Sequence, residues 1–341
     1  MNYAGLGSSG LKVSPICLGT MTFGKQTSAA VAAKMIASAR DAGINFIDTA
    51  ESYVMGESER ILGKLIRKDR PDWVIATKLG SKAVGDGPNQ KGLSRAWMID
   101  GLNGSLKRLG TDYVDIYYLH RADSTTPLAE TIDAMGDLIR AGKVRYWGFS
   151  NFRAWKIAEM VHLCRELNVP KPVIAQPFYN ALYRVAEFEY LPACHAYGIG
   201  AVPYSPLARG VLTGKFGHDV AAAKDTRRGA SEVETYGEVY TRESLDIAAR
   251  IKKRAEAKGM TAGDLSLNWI LNNRIVTSLI AGPRTLAHWK AYLGALRQGF
   301  TADDEAFFDT LVPPCHPLAL NYHERKDPPR GRLPHTDGKA L

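Results

Sequence analysis

The sequence predicts an α/β chain that closes into a (β/α)8 TIM barrel, with an N-terminal hairpin, long loops on one face and a proline-rich C-terminal tail. Two observations support this prediction. Eight short apolar runs alternate with stretches of helical periodicity, a pattern typical of a parallel sheet covered by helices. The length of 341 residues is ordinary for one barrel, and an apolar share of 45% is sufficient for a large core.

The first segment, residues 2–14, is predicted to be a short hairpin that covers the closed bottom of the barrel. Residues 5–10 within it match the pattern G-x-G-x-x-G. A dinucleotide-binding fingerprint of this kind needs a strand before it and a helix after it. Here only four residues precede the first glycine, and residues 11–15 have an extended pattern. We therefore interpret the motif as a turn and predict no Rossmann domain.

Strands and helices alternate from residue 16 onward. The apolar runs lie at residues 16–20, 45–48, 73–78, 114–120, 144–150, 173–178, 200–206 and 277–282, and helical stretches lie at residues 28–42, 58–66, 94–109, 127–141, 154–167 and 241–257. Ser94 suits an N-cap, Pro127 suits a first turn, and Gly110 suits a C-terminal stop. Eight such units in one chain favour a closed parallel barrel.

Three segments fall outside this alternation. Residues 80–92 and 216–240 are long polar loops after the third and seventh strands, on the face where lids and binding loops are common. The third segment begins after Val312 and is rich in proline, with too little apolar periodicity for a domain. We predict one barrel domain over residues 1–312 and a tail over residues 313–341 that either wraps the barrel or stays mobile.

Composition disfavours several classes of protein. The net charge of +9 permits nucleic-acid binding, but the basic residues are interspersed with acidic ones and form no run with aromatic residues. The four cysteines are far apart and the histidines lack His-x-His spacing, so neither disulfides nor a metal site is expected. Without a long apolar stretch or a secretion signal, the protein is expected to be cytoplasmic with no membrane partner. Oligomerisation remains open.

Four polar residues indicate one site at the open end of the barrel. Asp48, Lys78 and His120 stand at the ends of the second, third and fourth apolar runs, and Tyr53 lies five residues beyond Asp48. Alone, each of them is more often a rim, cap or core residue. Their placement after consecutive strands favours an active site, because the C-terminal ends of parallel strands share one rim.

These four side chains form a chemically coherent set. An isolated tyrosine has a pKa of about 10 and is a poor acid near neutral pH. The Lys78 ammonium is expected to lower the pKa of the Tyr53 phenol, and Asp48 is expected to keep that ammonium charged and fixed. His120 offers a second hydrogen-bond donor to the oxygen of a bound carbonyl. The set therefore predicts proton transfer to a carbonyl compound.

Motifs along most of the chain resemble those of the aldo-keto reductases. The resemblance extends from about residue 1 to about residue 310, in family order and spacing, and it is nearest to the bacterial branch that also resembles potassium-channel β-subunits. It rests on DTAESY at residues 48–53, GESE at 56–59, ATK at 76–78, LHR at 119–121, GKVR at 142–145, GFSN at 148–151, QP at 176–177 and YSPL at 204–207.

The resemblance implies a (β/α)8 barrel that holds NADP(H) without a Rossmann motif and reduces aldehydes or ketones reversibly. The family's catalytic tetrad matches Asp48, Tyr53, Lys78 and His120, with Tyr53 as the general acid in reduction and the base in oxidation. Further matches imply cofactor contacts. Gly19, Thr20 and Met21 would lie beneath the nicotinamide, Ser150, Asn151 and Gln176 would hold its carboxamide, Tyr204 would stack on its ring, and Ser205, Leu207 and Gly210 through Lys215 would follow the pyrophosphate.

The last predicted strand leads to Gly282 and Arg284 just before a helix that begins near Leu286. By resemblance, Arg284 and this helix N-terminus bind the 2′-phosphate, which favours NADP(H) over NAD(H). Two positions near the adenine depart from the family. His288 stands where glutamine is common and Tyr292 where asparagine is common, and stacking by Tyr292 is a replacement contact.

The substrate is less well determined by the sequence. Candidate wall residues are Met21, Phe23, Met55, Trp97, Arg121 and Trp147, although a core position is favoured for Trp97 and Trp147. An apolar wall suits many aldehydes and ketones, including sugars and steroids, without ranking them. A rival interpretation is a regulatory subunit that binds the cofactor, senses its redox state and turns over slowly. A weaker one is nucleic-acid binding, which the net charge allows.

Overall fold

The computed structural model describes residues 1–81, 87–217 and 239–318. Two strands form a hairpin, β1 (Ala4–Gly5) and β2 (Lys12–Val13), and eight form a parallel sheet, β3 (Ile16–Gly19), β4 (Phe46–Asp48), β5 (Val74–Leu79), β6 (Val114–Leu119), β7 (Val144–Ser150), β8 (Ile174–Gln176), β9 (Gly200–Ala201) and β10 (Leu279–Ala281). Parts of both predicted long loops and most of the predicted tail, residues 82–86, 218–238 and 319–341, lie outside the described residues.

The parallel sheet closes on itself. Strands β3 to β9 pair in chain order, and β10 pairs in parallel with β3. Across the remaining gap, Thr277 N donates to the Ala201 carbonyl oxygen at 2.8 Å, and Ile280 N donates to the Pro203 carbonyl oxygen at 2.9 Å. The predicted (β/α)8 barrel is therefore confirmed.

Helices cover the outside of the barrel. In the described residues they are α1 (Ala29–Asp41), α2 (Glu57–Ile66), α3 (Arg95–Leu109), α4 (Leu128–Arg140), α5 (Ala154–Glu166), α6 (Tyr190–Ala196), α7 (Arg242–Glu256), α8 (Ala262–Asn272), α9 (Leu286–Ala295) and α10 (Ala302–Asp309). The six predicted helical stretches correspond to α1 to α5 and α7. Ser94 caps α3, and Gly110 ends it with a left-handed φ of 66°. None of these helices is long and apolar enough to span a membrane.

The N-terminal hairpin closes the barrel at the end where its strands begin. Leu6 and Val13 are fully buried and share an apolar cluster with the interior residue Cys17. The G-x-G-x-x-G stretch is the hairpin turn, as predicted. Its Gly7 has φ +55°, and a Cβ there would lie 2.5 Å from the Val173 carbonyl oxygen, so only glycine permits this close backbone contact.

Three of the six candidate wall residues belong to the core, as favoured above for Trp97 and Trp147 but not for Phe23. Phe23, Trp97 and Trp147 are buried in the apolar layer between the strands and the helices. These side chains therefore stabilise the barrel and cannot line an open pocket. The candidates that remain at the rim are Met21 and Met55, which are exposed, and Arg121, which is half-buried.

Residues 313–318, called the C-terminal strap below, lie against the loop that follows β8. Arg184 N in that loop donates to the His316 carbonyl oxygen of the strap at 2.9 Å. The buried Arg184 guanidinium donates to the Asp309 carboxylate at 2.7 Å and to the Val312 carbonyl oxygen at 2.9 Å. The first residues of the predicted tail therefore pack against the loop after β8.

Candidate active site

The four predicted catalytic residues meet at the C-terminal end of the barrel. Asp48 is the last residue of β4, Lys78 lies near the end of β5, and His120 follows β6 directly. Tyr53 begins a 3₁₀ turn between β4 and α2. Because β4, β5 and β6 are parallel neighbours, these positions share one rim. The structure brings the four residues together as the sequence predicts.

Lys78 is the centre of this cluster and is fully buried. Its Nζ donates to the Asp48 carboxylate, to the Thr49 carbonyl oxygen at 2.7 Å and to Tyr53 Oη at 3.1 Å. The Tyr53 ring meets the His120 ring edge to face, with 6.0 Å between the ring centroids. Because the three hydrogen bonds use all three ammonium protons, Lys78 is fixed in position. Tyr53 thus contacts both an ammonium and an imidazole.

Burial controls the protonation of this cluster. It raises the pKa of the Tyr53 phenol above its ordinary value, and the opposing effect of Lys78 offsets this only in part. The prediction of a net lowered pKa is therefore wrong, although Lys78 acts with the predicted sign. Burial lowers the pKa of Lys78, but Asp48 and Tyr53 raise it by more, so the ammonium stays charged as predicted. Near neutral pH, Tyr53 is a protonated phenol, the form that a proton donor needs.

The backbone directly after Tyr53 is strained. Val54 and Met55 have left-handed φ angles of 50° and 53°, and Gly56 follows with φ 82°. This conformation is unfavourable for residues other than glycine, above all for a β-branched valine. Such strain persists only where surrounding contacts hold the backbone. The contacts that surround this turn must therefore hold its backbone.

The residues predicted to hold the carboxamide form a hydrogen-bond chain with the tetrad. Tyr204 Oη donates to Asn151 Oδ1 at 2.9 Å, and Asn151 Nδ2 donates to Ser150 Oγ at 2.9 Å. Ser150 Oγ donates to the Gln176 carbonyl oxygen at 2.8 Å, and Gln176 Nε2 donates to Asp48 Oδ2 at 2.9 Å. These hydrogen bonds connect the predicted carboxamide residues to the carboxylate that pairs with Lys78.

The residues predicted to lie beneath the nicotinamide are next to Asp48. Gly19 ends β3 in register with Asp48. A Cβ at Gly19 would lie 2.7 Å from the Ala281 carbonyl oxygen, so this position requires glycine. Thr20 Oγ1 donates to the Asp48 carbonyl oxygen at 3.0 Å, and Met21 is exposed beyond it. All three belong to the rim that holds the tetrad.

The loop predicted to follow the pyrophosphate has an unusual backbone. Its residues with left-handed φ angles are Ser205, Ala208, Arg209 and Gly210, and half-buried Leu207 lies among them. Three of them are consecutive, and the N–H groups of Ala208 and Gly210 donate to the carbonyl oxygens of Ser205 and Leu207 within the loop. Lys215 folds back over this turn, with Nζ 3.9 Å from the position of a Gly210 Cβ. The loop is thus suited to a phosphate group.

A positively charged cleft of about 680 Å³ lies between the loop after β3 and the loop after β10. Its lining includes Lys25, Lys34 and Arg284 and contains no acidic residue. The N-termini of α1 and α9 flank it, and their caps are Ser28 and Thr285. Helix N-termini and cations both attract anions. Arg284, the predicted 2′-phosphate ligand, therefore lies where an anion is stabilised.

Sequence reasoning missed Lys25 and Lys34 as parts of this cleft. They follow the first barrel strand, whereas Arg284 follows the last, so they are far apart in the chain. Barrel closure brings them together, and Thr27 Oγ1 donates to the Arg284 carbonyl oxygen at 2.9 Å between the two loops. Two lysines flank the N-cap Ser28, and the first and last strands of a closed barrel are neighbours. Together, these two facts could have predicted that Lys25 and Lys34 lie near Arg284.

The positions that depart from the family have different surroundings. His288 is half-buried in the first turn of α9, where its N–H donates to Thr285 Oγ1 at 3.2 Å beside the cleft. Gly282 is exposed just before Arg284. Tyr292, however, is only 9% exposed and belongs to the apolar core. Its ring therefore offers little exposed surface for stacking on an adenine.

Comparison with known proteins agrees with this geometry. A sequence model of the Aldo/keto reductase family matches residues 15–312. The chain belongs to this family. Its members are oxidoreductases and in general use NADP.

Curated relatives extend the likeness to potassium-channel subunits. The probable voltage-gated potassium channel subunit beta of Oryza sativa subsp. japonica is 41% identical over 291 residues, which cover 83% of this chain and 87% of the relative. The protein of the same name from Arabidopsis thaliana is 40% identical over 291 residues, with the same coverage of 83% and 87%. A putative one from Schizosaccharomyces pombe is 41% identical over 286 residues, covering 81% and 83%. The predicted resemblance to aldo-keto reductases and to potassium-channel β-subunits is confirmed.

Proposed function

We propose that this protein is an NADP(H)-dependent aldo-keto reductase that reduces aldehydes or ketones to alcohols, reversibly. The observation that carries the proposal is the 3.1 Å contact between Lys78 Nζ and Tyr53 Oη within the buried cluster. A protonated phenol beside a fixed ammonium is suited to give its proton to a carbonyl oxygen, because the ammonium stabilises the phenolate that remains.

Each member of the tetrad has a distinct task in the proposed reaction. Tyr53 donates its phenolic proton to the carbonyl oxygen as that oxygen gains negative charge. Lys78 stabilises the resulting phenolate, and Asp48 keeps the ammonium charged and directed. His120, in contact with the Tyr53 ring, orients the same oxygen as a second donor. A bound nicotinamide supplies the hydride, and the protein supplies orientation and the proton.

The residues at the rim fit a dinucleotide phosphate. We assign the loop with Gly210 and Lys215 to the pyrophosphate, because the Lys215 ammonium lies against Gly210 and can pair with a phosphate oxygen. The cleft with Lys25, Lys34 and Arg284 is assigned to the 2′-phosphate, because three cations and two helix N-termini offset the charge that distinguishes NADPH from NADH.

We further propose that residues 1–312 act as a single catalytic domain, with the substrate entering past Met21 and Met55. Both side chains are exposed in loops that follow β3 and β4, next to the tetrad. Their flexible thioether chains suit an apolar part of a substrate without selecting one shape.

A second candidate is a regulatory subunit that binds the same cofactor and turns over slowly. The names of the three relatives, all potassium-channel β-subunits, favour it. The tetrad geometry is compatible with both candidate functions. A subunit that senses the redox state of its cofactor by slow turnover also needs a proton donor beside the carbonyl compound that accepts the hydride.

A panel of aldehydes and ketones with NADPH, followed at the absorbance of the reduced nicotinamide, tests the proposal. We expect many turnovers for at least one carbonyl compound, and their loss in Tyr53→Phe. Oxidation of a single equivalent of bound NADPH across the whole panel would favour the regulatory subunit. Failure to bind NADPH at all would contradict both candidates.

A further inference from the structure

The turn that carries Tyr53 is anchored on its far side by a buried ion pair. Past the two left-handed residues, the chain enters α2, and Glu59 lies in the first turn of that helix. Glu59 is fully buried, and its Oε2 accepts a hydrogen bond from Arg108 Nε of α3 at 2.7 Å. Its Oε1 accepts a hydrogen bond from the Thr77 hydroxyl of β5 at 2.5 Å. One carboxylate thus joins two helices and a barrel strand.

These contacts couple the position of Tyr53 to that of Lys78. Thr77 directly precedes Lys78 on β5, so Glu59 connects the helix after Tyr53 to the strand that carries the ammonium. Ser58 makes a parallel connection, since its Oγ lies 3.1 Å from Thr49 Oγ1, and the Thr49 carbonyl oxygen accepts from Lys78. The phenol and the ammonium are therefore held by one set of buried contacts.

Arg108 also packs directly against the turn. A Cβ at Gly56 would lie 2.6 Å from Arg108 Cδ, so the aliphatic part of Arg108 covers the backbone three residues after Tyr53. Its guanidinium also donates to Ser105 Oγ at 3.1 Å, on its own helix. The Arg108 side chain is only 16% exposed and that of Glu59 is fully buried, so solvent screens this pair weakly.

We propose that Glu59 and Arg108 are positioning residues that set the separation between the Tyr53 hydroxyl and the Lys78 ammonium. The proposal rests on the function assigned above to Tyr53. Without the ion pair, the strained turn is free to relax, and Tyr53 moves away from Lys78. Neither residue belongs to the proposed cofactor or substrate contacts, so their loss acts through Tyr53. A displacement of about 1 Å at a reacting group can lower a rate on the order of 10²-fold.

The variant Arg108→Met tests this proposal, because methionine keeps the aliphatic bulk against Gly56 and removes the charge. We expect the single-turnover rate of carbonyl reduction to fall roughly 10- to 100-fold, with an unchanged NADPH dissociation constant. Arg108→Lys should restore part of the rate. Arg95→Met is the matched control. Arg95 lies on the same helix as Arg108, is half-exposed and pairs with Asp133 and Asp137 of α4. Arg95→Met should change neither quantity.

A double variant guards against misfolding. Arg108→Met alone leaves the buried Glu59 carboxylate without its cation, which destabilises a fold. Combining it with Glu59→Gln removes both charges and keeps an oxygen that accepts from Thr77. The double variant should fold and show the same reduced rate. A folded double variant with a normal rate would overturn the proposal, and so would a loss of NADPH affinity in parallel with the rate.

A second readout needs no turnover. The Tyr53 phenol faces Lys78, Asp48, Cys17 and His120, and Lys78 is the group that lowers its pKa. Burial raises the pKa of the phenol and Lys78 lowers it, so a displacement of Tyr53 alters both contributions and shifts the pH at which it ionises in Arg108→Met relative to the wild type. NMR of ring-labelled tyrosine, with Tyr53→Phe to assign the signal, measures this. An unchanged ionisation would overturn the proposal even if no carbonyl is ever reduced, whereas absent turnover alone contradicts only the proposed function.

Discussion

Glu51 gives the protein a stability that depends on pH near neutrality. It is a buried carboxyl group between Asp48 and Tyr53 in the chain, and it accepts a hydrogen bond from Gly80 N at 3.2 Å. Burial raises its pKa from 4.5 to about 8, with the Gly80 hydrogen bond and Arg108 opposing and Glu59 adding to the rise. At neutral pH, Glu51 is therefore mostly protonated.

The sign and size of the effect follow from linkage. Because the pKa is raised in the folded state, folding binds the proton, and this contribution to stability is fully present below pH 4.5. It is lost as the pH rises through the folded-state value. At about 1.36 kcal/mol for each pH unit, the interval from 4.5 to about 8 corresponds to a loss on the order of 5 kcal/mol.

Urea unfolding of the wild type and of Glu51→Gln at about pH 5 and about pH 9 measures most of this loss. Glutamine keeps the shape and the acceptor for Gly80 N but cannot ionise, so the variant should retain the stability that the wild type loses. Glu57→Gln is the control, because that side chain is 44% exposed on the nearby helix, and it should follow the wild type. If Glu51→Gln loses as much stability as the wild type between the two pH values, Glu51 is not the group responsible.

Two further predictions concern arginines. Arg284→Ala should weaken NADPH binding roughly 10- to 100-fold, the scale of a charge-assisted hydrogen bond, with little change in NADH binding. Titration of tryptophan fluorescence measures the two dissociation constants, and equal losses of affinity would contradict a 2′-phosphate contact. Arg184→Ala should cost about 3–5 kcal/mol in urea unfolding, because it leaves Glu187 without its buried cation and removes the hydrogen bonds to Asp309 and Val312. Arg40→Ala, which removes a 48% exposed arginine from its pair with Asp69, should cost less than about 1 kcal/mol, and similar losses for the two variants would refute the role of burial.

The barrel could be predicted from the sequence because its strands are buried on both faces and therefore form continuous apolar runs. The ends of the strands were less predictable. Strand β9 has only two residues, whereas the apolar run extends to residue 206. Pro203 and Pro206 lack the N–H that a longer paired strand would need. Helix α8 escaped prediction because it is buried along most of its length, which removes the polar face that reveals helical periodicity.

The tetrad could be predicted because each residue stands at or shortly after the end of a strand, a position that the chain order alone defines. The raised pKa of Tyr53 could not be predicted, because it depends on the side chains that cover the phenol in the folded protein. The pair of Glu59 and Arg108 joins two helices, and nothing in the local pattern of either indicates it. The core position of Tyr292, in contrast, could have been predicted from the sequence. Tyr292 lies three residues after Trp289, and this spacing places both side chains on the core face of α9.

The most direct test of the proposed mechanism is the single-turnover rate of carbonyl reduction in Tyr53→Phe with bound NADPH. The substitution removes one hydroxyl and keeps the ring that packs against His120. We predict normal folding, normal NADPH affinity and a rate lower by roughly 10²- to 10⁴-fold, the usual contribution of a positioned acid. A near-normal rate with NADPH bound would show that Tyr53 is not the proton donor, and it would contradict the mechanism.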